Sequence, residues 1–285
     1  MNDPYVLVND DLVPEKKASL LVSDLVIQRG YGIFDFFKTL HNIPVFLEEH
    51  LDRFFHSASQ MRLSVGKDRE ELKALLHTLM EKNSIPDSGI RLTLTGGYSP
   101  DGYELVKPNL VITQKPLPLL SGEIFQKGTR LVSYPHQRQM PDVKTIDYLM
   151  AIWLQPFIRQ NKADDVLYHR EGIVSECPRS NFFIVTASGT LVTPSRNILK
   201  GIIRMKVLEL AASQYQTEER DITLEEVRTA KEAFITSTTR HILPVFRIDD
   251  QVIGEGQPGK VTAWLSNELE RVVTIAAPGS ATPAF

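Results

Sequence analysis

Between Gln114 and Gly122 the chain reads QKPLPLLSG, placing two prolines and a glycine between strand-like runs. No regular element runs through such a stretch, because each proline lacks a backbone N–H and has a fixed φ. This break predicts two lobes: a small α/β domain over residues 1–116, a connection over 117–124 and a larger domain over 125–285. With 285 residues there is enough chain for two cores.

The first lobe alternates short strands with two strong helices. Tyr5–Val8 is strand-like, and Leu51, Phe54, Phe55, Ala58 and Met61 recur at helical spacing behind Leu47. A second helix opens with Asp68 and Glu71 in the cap and N3 positions, and Leu72, Leu75, Leu76 and Leu79 form its apolar face. From Gly89 to Thr95, Ile90, Leu92 and Leu94 alternate with Arg91, Thr93 and Thr95, so the polar side chains share one strand face, a natural place for a ligand. In the second lobe, strand-like runs at 130–134, 164–168, 181–186, 190–193, 232–237 and 244–248 are separated by helices near 145–160, 202–215 and 260–275. Pro156 should end or kink the first of these helices. Thr223 with Glu226 should cap a short helix before the strand EAFITS. The mixture predicts an α+β or barrel-like second lobe.

A formal net charge of −3, from interspersed acidic and basic residues, provides no basic field for nucleic acid and points to a small-molecule ligand. The start MNDPYVLVND lacks the pattern of a secretory signal, and no apolar run approaches the roughly 18 to 20 residues that span a bilayer. A cytoplasmic protein without a membrane or nucleic-acid partner is expected. The lone cysteine, Cys177, cannot form an intramolecular disulfide and reads as inert packing.

Several segments carry candidate chemistry. In MPDVKTIDYLMAIW, Lys144 precedes an apolar helical pattern of Ile146, Leu149, Met150 and Trp153. At the foot of a buried helix such an amine can be desolvated, which lowers its pKa and favours imine formation, although by itself the segment reads first as a solvated lysine in a helix's first turn. Glu176, in EGIVSECPRSNFFIV, follows one strand and precedes Ser180, Asn181 and another, so it is either a surface loop acid or a carboxylate directed at a ligand. In ILKGIIRMKVLELA a glycine opens a helix, which leaves the amides of Ile202 and Ile203 at its positive end. In FITSTTRHILPV, Ser237, Thr238 and Thr239 leave the end of a strand; the two segments together suit a phosphate. Arg53 stands one helical turn from Glu49, Arg91 interrupts an apolar strand, and Arg29 precedes Gly30 and Tyr31.

Taken in order, RGYGIFDFF, LEEHLDRFF, VKTIDYL, VSECPRSNFF, ILKGIIR and FITSTTR resemble the class IV aminotransferases, the fold-type IV pyridoxal enzymes, over residues 5 to 275. The resemblance implies pyridoxal 5'-phosphate as cofactor, no metal, a small N-terminal α/β lobe and a larger C-terminal pseudo-barrel lobe. It implies that Lys144 is the Schiff-base lysine and shuttles a proton between the substrate Cα and the cofactor. Arg53 would bind the phosphate rather than Glu49, with the Ile202 and Ile203 amides and the Thr238 and Thr239 hydroxyls. Glu176 matches the acid at the pyridine nitrogen, and Tyr148 matches a tyrosine that hydrogen-bonds the phenolic oxygen. Two departures stand out: Ile203 replaces a threonine, and Asp147 stands where asparagine is common.

Gly96, Gly97 and Tyr98 occupy positions where D-amino-acid aminotransferases of the usual kind carry an arginine and a histidine. The chain is most similar to a noncanonical group of D-amino-acid transaminases, in which arginines matching Arg29 and Arg91 bind the α-carboxylate, with Thr239 also at the substrate. The expectation is a homodimer that passes an amino group from an amino acid, D-amino acids first, to a keto acid such as 2-oxoglutarate. Branched-chain L-amino-acid transamination, aminodeoxychorismate lysis and a cofactor-binding scaffold without turnover are the alternatives.

Overall fold

The computed structural model describes residues 3–117 and 122–277. Among the described residues two compact units emerge: 3–117 with Val143–Asp147 and 275–277, and 122–142 with Tyr148–Thr274. Val143–Asp147 therefore groups with the N-terminal unit although it lies within the 125–285 stretch. Of the connection expected over 117–124, residues 118–121 lie outside the described residues, and Gly122 opens helix α4 (Gly122–Lys127).

The N-terminal unit contains β1 (Tyr5–Val8), β2 (Asp11–Pro14), α1 (Leu25–Arg29), β3 (Gly32–Leu40), β4 (Ile43–Pro44), α2 (Leu47–Gln60), α3 (Arg69–Asn83), β5 (Ser88–Thr95) and β6 (Leu110–Pro116). Its sheet runs β2-β1-β6-β5-β3-β4, with antiparallel neighbours throughout. The period-2 alternation places Ile33, Phe37, Ile90, Leu92 and Leu94 on one face, where Leu51, Phe54 and Ala58 of α2 and Leu72, Leu76 and Leu79 of α3 cover them. Each such side chain, fully buried, is worth about 1.5–3 kcal/mol. Helix α3 starts on the expected capping box: Asp68 accepts from the Glu71 amide and Glu71 from the Asp68 amide.

The C-terminal unit continues with β7 (Thr129–Pro135), α5 (Leu149–Trp153), α6 (Gln155–Gln160), β8 (Asp165–Arg170), β9 (Ile173–Val174), β10 (Glu176–Cys177), β11 (Ser180–Val185), β12 (Leu191–Thr193), α7 (Ile202–Ala211), β13 (Thr217–Glu219), α8 (Leu224–Arg228), β14 (Glu232–Ser237), β15 (His241–Ile248), β16 (Gln251–Val252) and α9 (Lys260–Ala276). The sheet runs β13-β12-β11-β14-β15-β7-β8-β9 and is mixed, with parallel pairs at β12–β13, β15–β7 and β7–β8. Because β10 pairs with β11 while packing against β8, the sheet curls into a half-barrel, in keeping with the α+β expectation. Its interior is filled by Leu131, Leu167, Cys177, Phe182, Ile184, Ile235, Leu243 and Val245.

One helix departs from expectation. The pattern over 145–160 splits into α5 and α6 at Leu154, because Pro156 is tolerated only in a first turn. Helix formation begins at Leu149 rather than at 145, since Thr145 bridges to Ile33 and Ile146 donates its amide to Gly32. Nor is α5 a buried helix: Leu149 and Trp153 are 71% and 63% exposed. Lys144 therefore does not lie at the foot of a buried helix but in an extended stretch against β3.

Candidate active site

Two groups of polar side chains stand out, one in each unit. In the N-terminal unit, Lys144 is held by its backbone: its carbonyl accepts the Phe34 amide at 3.0 Å, and its own amide donates to Ser57 Oγ at 3.3 Å. The Lys144 amine lies 4.6 Å from the centroid of the buried Phe34 ring. Arg91, on β5, stacks over the same ring with Cζ 3.8 Å from the centroid, and its Nε donates to Thr93 Oγ1 at 3.3 Å. The ring quadrupole attracts each of the two groups.

The polar face expected on β5 is only partly available to a ligand. Thr95 is fully buried and donates to Asp24 Oδ2 at 2.8 Å, while Asn109 Nδ2 donates to the same oxygen. A buried hydroxyl needs such partners, so Thr95 is structural. Arg29 is exposed at the end of α1, with Cζ 5.0 Å from the Tyr103 ring centroid.

Arg53 does not pair with Glu49. Its Nε and Nη2 instead donate to Asp35 Oδ2 and Oδ1 at 2.8 and 2.9 Å, a bidentate pair reaching from α2 to β3. Asp35 is 1% exposed, and His50 Nδ1 lies 2.7 Å from its Oδ1. Burial pushes the Asp35 carboxyl up, but Arg53 and His50 outweigh it and hold it well below the usual carboxylate range. Burial also drives His50 toward its neutral form against the pull of Asp35. A neutral imidazole donates Nδ1–H to Asp35, which makes the 3.3 Å approach of Arg53 Nη2 to that nitrogen a packing contact.

In the C-terminal unit, Glu176 is buried on β10 and tied at both oxygens. Arg138 Nε donates to Oε1 at 2.8 Å; the Leu199 amide donates to Oε2 at 3.0 Å, and Asn181 Nδ2 approaches Oε2 at 3.5 Å. Asn181 also donates to the Leu199 carbonyl at 2.6 Å, which fixes the loop leading to Gly201. A Cβ on Gly201 would come within 2.2 Å of Asn181 Oδ1, so only glycine fits. Gly201 caps α7 without a side-chain hydrogen bond, leaving the amides of the buried Ile202 and Ile203 at a positive helix end. Thr236 Oγ1, on the strand beside Asn181, is buried with no hydrogen-bond partner among the described residues.

The orphaned hydroxyl, the glycine with no room for a Cβ and the uncapped helix fit an anionic group such as a cofactor phosphate. Thr238 is half-buried and Thr239 exposed in the turn after β14; Tyr148 is half-buried at the start of α5. Cys177 is a buried thiol whose pKa is pushed up by burial, so it stays protonated.

The sequence patterns did not single out Asp35, His50, Phe34, Arg138 or Thr236. An acid between aromatic residues in RGYGIFDFF, and a histidine three positions before Arg53, were the available signals for the first two. Arg138 had no local signal, since Glu176 lies on another element, and Thr236 had none because its burial comes from the sheet around it.

Among known proteins, a family model described as amino-transferase class IV matches residues 32–248. A D-alanine aminotransferase of Bacillus licheniformis is 28% identical, over 94% of this chain and 96% of its own. A putative branched-chain-amino-acid aminotransferase of Methanocaldococcus jannaschii is 31% identical over the same shares. Among solved structures, a branched-chain aminotransferase from Thermoproteus uzoniensis with norvaline superposes with a TM-score of 0.86 at 27% identity, covering 96% of each chain. A T.th. branched-chain amino acid aminotransferase with pyridoxamine 5'-phosphate reaches 0.88 at 24% identity, covering 97% and 96%, and shares the fold.

Proposed function

Because the chain belongs to the class IV aminotransferases, and is therefore a pyridoxal-phosphate-dependent transaminase, we propose that it moves the amino group of a D-amino acid to a 2-keto acid such as 2-oxoglutarate. The observation that carries this reading is the shared Phe34 ring, with the Lys144 amine on it and the Arg91 guanidinium stacked over it. Transamination needs a base for the Cα proton beside a cation for the α-carboxylate, and these two residues are of those kinds.

When bound, pyridoxal phosphate supplies the carbonyl that takes up the amino group and an electron sink for the Cα proton's electrons. Lys144 takes the proton from the substrate Cα and returns it on the cofactor side. Phe34, buried beneath that amine, excludes water from one side of it. Arg91 and Arg29 bind the substrate carboxylate, with Thr239 at the substrate as well. Glu176, oriented by Arg138 and the Leu199 amide, would hold the pyridine nitrogen. Arg53, the Ile202 and Ile203 amides, Thr238 and Thr239 serve the phosphate, and Tyr148 the phenolic oxygen. The same reading has the enzyme acting as a cytoplasmic homodimer.

The D-amino-acid preference is supported by the presence of both Arg29 and Arg91, by resemblance to the noncanonical D-amino-acid transaminases, and by the D-alanine aminotransferase relatives. Branched-chain L-amino acids are the second reading, favoured by the relative that is 31% identical. Mixing the loaded enzyme separately with D-alanine, L-leucine and aminodeoxychorismate, and following the cofactor absorbance, decides among them. D-Alanine is expected to react fastest. Reaction confined to L-leucine overturns the D preference, and turnover of aminodeoxychorismate alone overturns transamination.

A further inference from the structure

Asp35 is a carboxylate in the middle of a buried strand, between Phe34 and Phe36, and its partner across the ladder is Leu92. Nothing apolar on that face can answer its charge. The Phe36 amide donates to Asp35 Oδ1 at 2.7 Å, and both side-chain partners come from α2, where His50 and Arg53 stand three residues apart and so project from one side of the helix. Two of the three guanidinium nitrogens of Arg53, Nε and Nη2, are committed to Asp35, and Nη1 has no hydrogen-bond partner among the described residues.

A buried ion pair of this kind contributes little net stability over an apolar pair of the same shape. What it does provide is direction. Arginine is long and rotamer-rich, and the fork on Asp35 fixes the plane of the guanidinium, with His50 in turn holding Asp35 Oδ1.

We infer that Asp35 and His50 are positioning residues that fix Arg53 as the anchored phosphate-binding arm, acting on cofactor retention through Arg53 without contacting the cofactor themselves. This rests on the reading of Arg53 as a phosphate ligand. With His50 neutral, the Asp35–Arg53 pair carries no net charge, so the arm contributes oriented donors more than long-range attraction. Losing the anchor forces binding to order the free side chain, which costs on the order of tenfold in affinity.

Titrating apoenzyme with pyridoxal phosphate, and with pyridoxal, which lacks the phosphate, tests the inference. Asp35→Asn and His50→Phe are expected to weaken pyridoxal phosphate about tenfold while leaving pyridoxal unchanged, and His50→Asn, whose amide replaces the Nδ1 donor, to restore most of the loss. If Asp35→Asn does not fold, His50→Phe carries the test, with cofactor-free thermal unfolding as its control. Parallel changes for both ligands, or no change, overturn the positioning role provided that Arg53→Gln loses the preference for the phosphorylated ligand. If Arg53→Gln keeps that preference, the reading of Arg53 itself fails, and the inference with it.

Discussion

Lys144 and Phe34 are joined twice: the Phe34 amide donates to the Lys144 carbonyl at 3.0 Å, and the Phe34 ring centroid lies 4.6 Å from the Lys144 amine. The lysine is thus positioned by β3 and not by the helix that follows it. Replacing the ring alters the environment of the amine while leaving the backbone bond intact. Phe34→Leu is expected to lower kcat/KM by about tenfold, at a stability cost of about 1 kcal/mol. Steady-state kinetics with thermal unfolding check it, and unchanged kinetics would show that the ring is only packing.

Lys144→Ala removes the proposed base and leaves the fold, since the carbonyl and amide contacts of residue 144 survive. Turnover should fall by at least about 10³-fold, in the range for loss of general acid–base catalysis. Borohydride reduction of the wild-type holoenzyme followed by peptide mapping should place the pyridoxyl label on the Lys144 peptide. A label elsewhere removes Lys144 from the mechanism.

In the Arg138–Glu176 pair the acid is buried and the arginine half-buried, with side chains 6% and 16% exposed. Arg138→Met removes the guanidinium that donates to Glu176 Oε1, so a loss of about 3 kcal/mol is expected from the broken pair. Glu176→Gln keeps the volume but removes the charge proposed to face the pyridine nitrogen, and should lower kcat by about 10²-fold with a changed cofactor absorbance. Stopped-flow spectra of the half-reaction separate the two effects. Unaltered spectra in Glu176→Gln would refute its assignment.

Local features of the fold were legible in the sequence because their causes are local. The capping box at Asp68 and Glu71, the Thr223 cap and the break at Pro156 each depend on residues within one turn, and the structure contains all three. The start of α5 was misread because an apolar 3.6 pattern does not reveal that Thr145 and Ile146 are taken by β3, more than a hundred residues earlier. Arg53 was visible as a cation but not its partner, since Asp35 is on a strand and Arg53 on the helix after it. Lys144 stood out through its order among other segments, whereas Phe34 and Thr236 acquire meaning only from what lies across the sheet.

Gly201 has an ordinary negative φ of −71, so a substitution there is tested for space alone. In Gly201→Ala the new methyl meets Asn181 Oδ1 at 2.2 Å, and Asn181 cannot yield without disturbing its bond to the Leu199 carbonyl. The variant should lose about 1–3 kcal/mol of stability and bind pyridoxal phosphate more weakly. Equal affinity in the variant would remove the start of α7 from the phosphate site.

The buried His50 makes stability depend on pH in a direction that follows from its environment. Burial lowers its pKa below the ordinary value of about 6.5, so the unfolded chain binds the proton more readily than the folded one. The stability is therefore fully present above about pH 6.5 and is lost as the pH falls toward the folded-state value. Asp35, also depressed, adds its own loss only in acid, below the ordinary carboxyl range of about 4. Thermal unfolding of the cofactor-free enzyme should show wild type losing stability between about pH 7 and 5 relative to His50→Phe, which has no imidazole to protonate. Parallel curves over that interval would show that His50 takes up its proton equally well in the folded and unfolded chain, and would remove the basis for treating it as the neutral donor to Asp35.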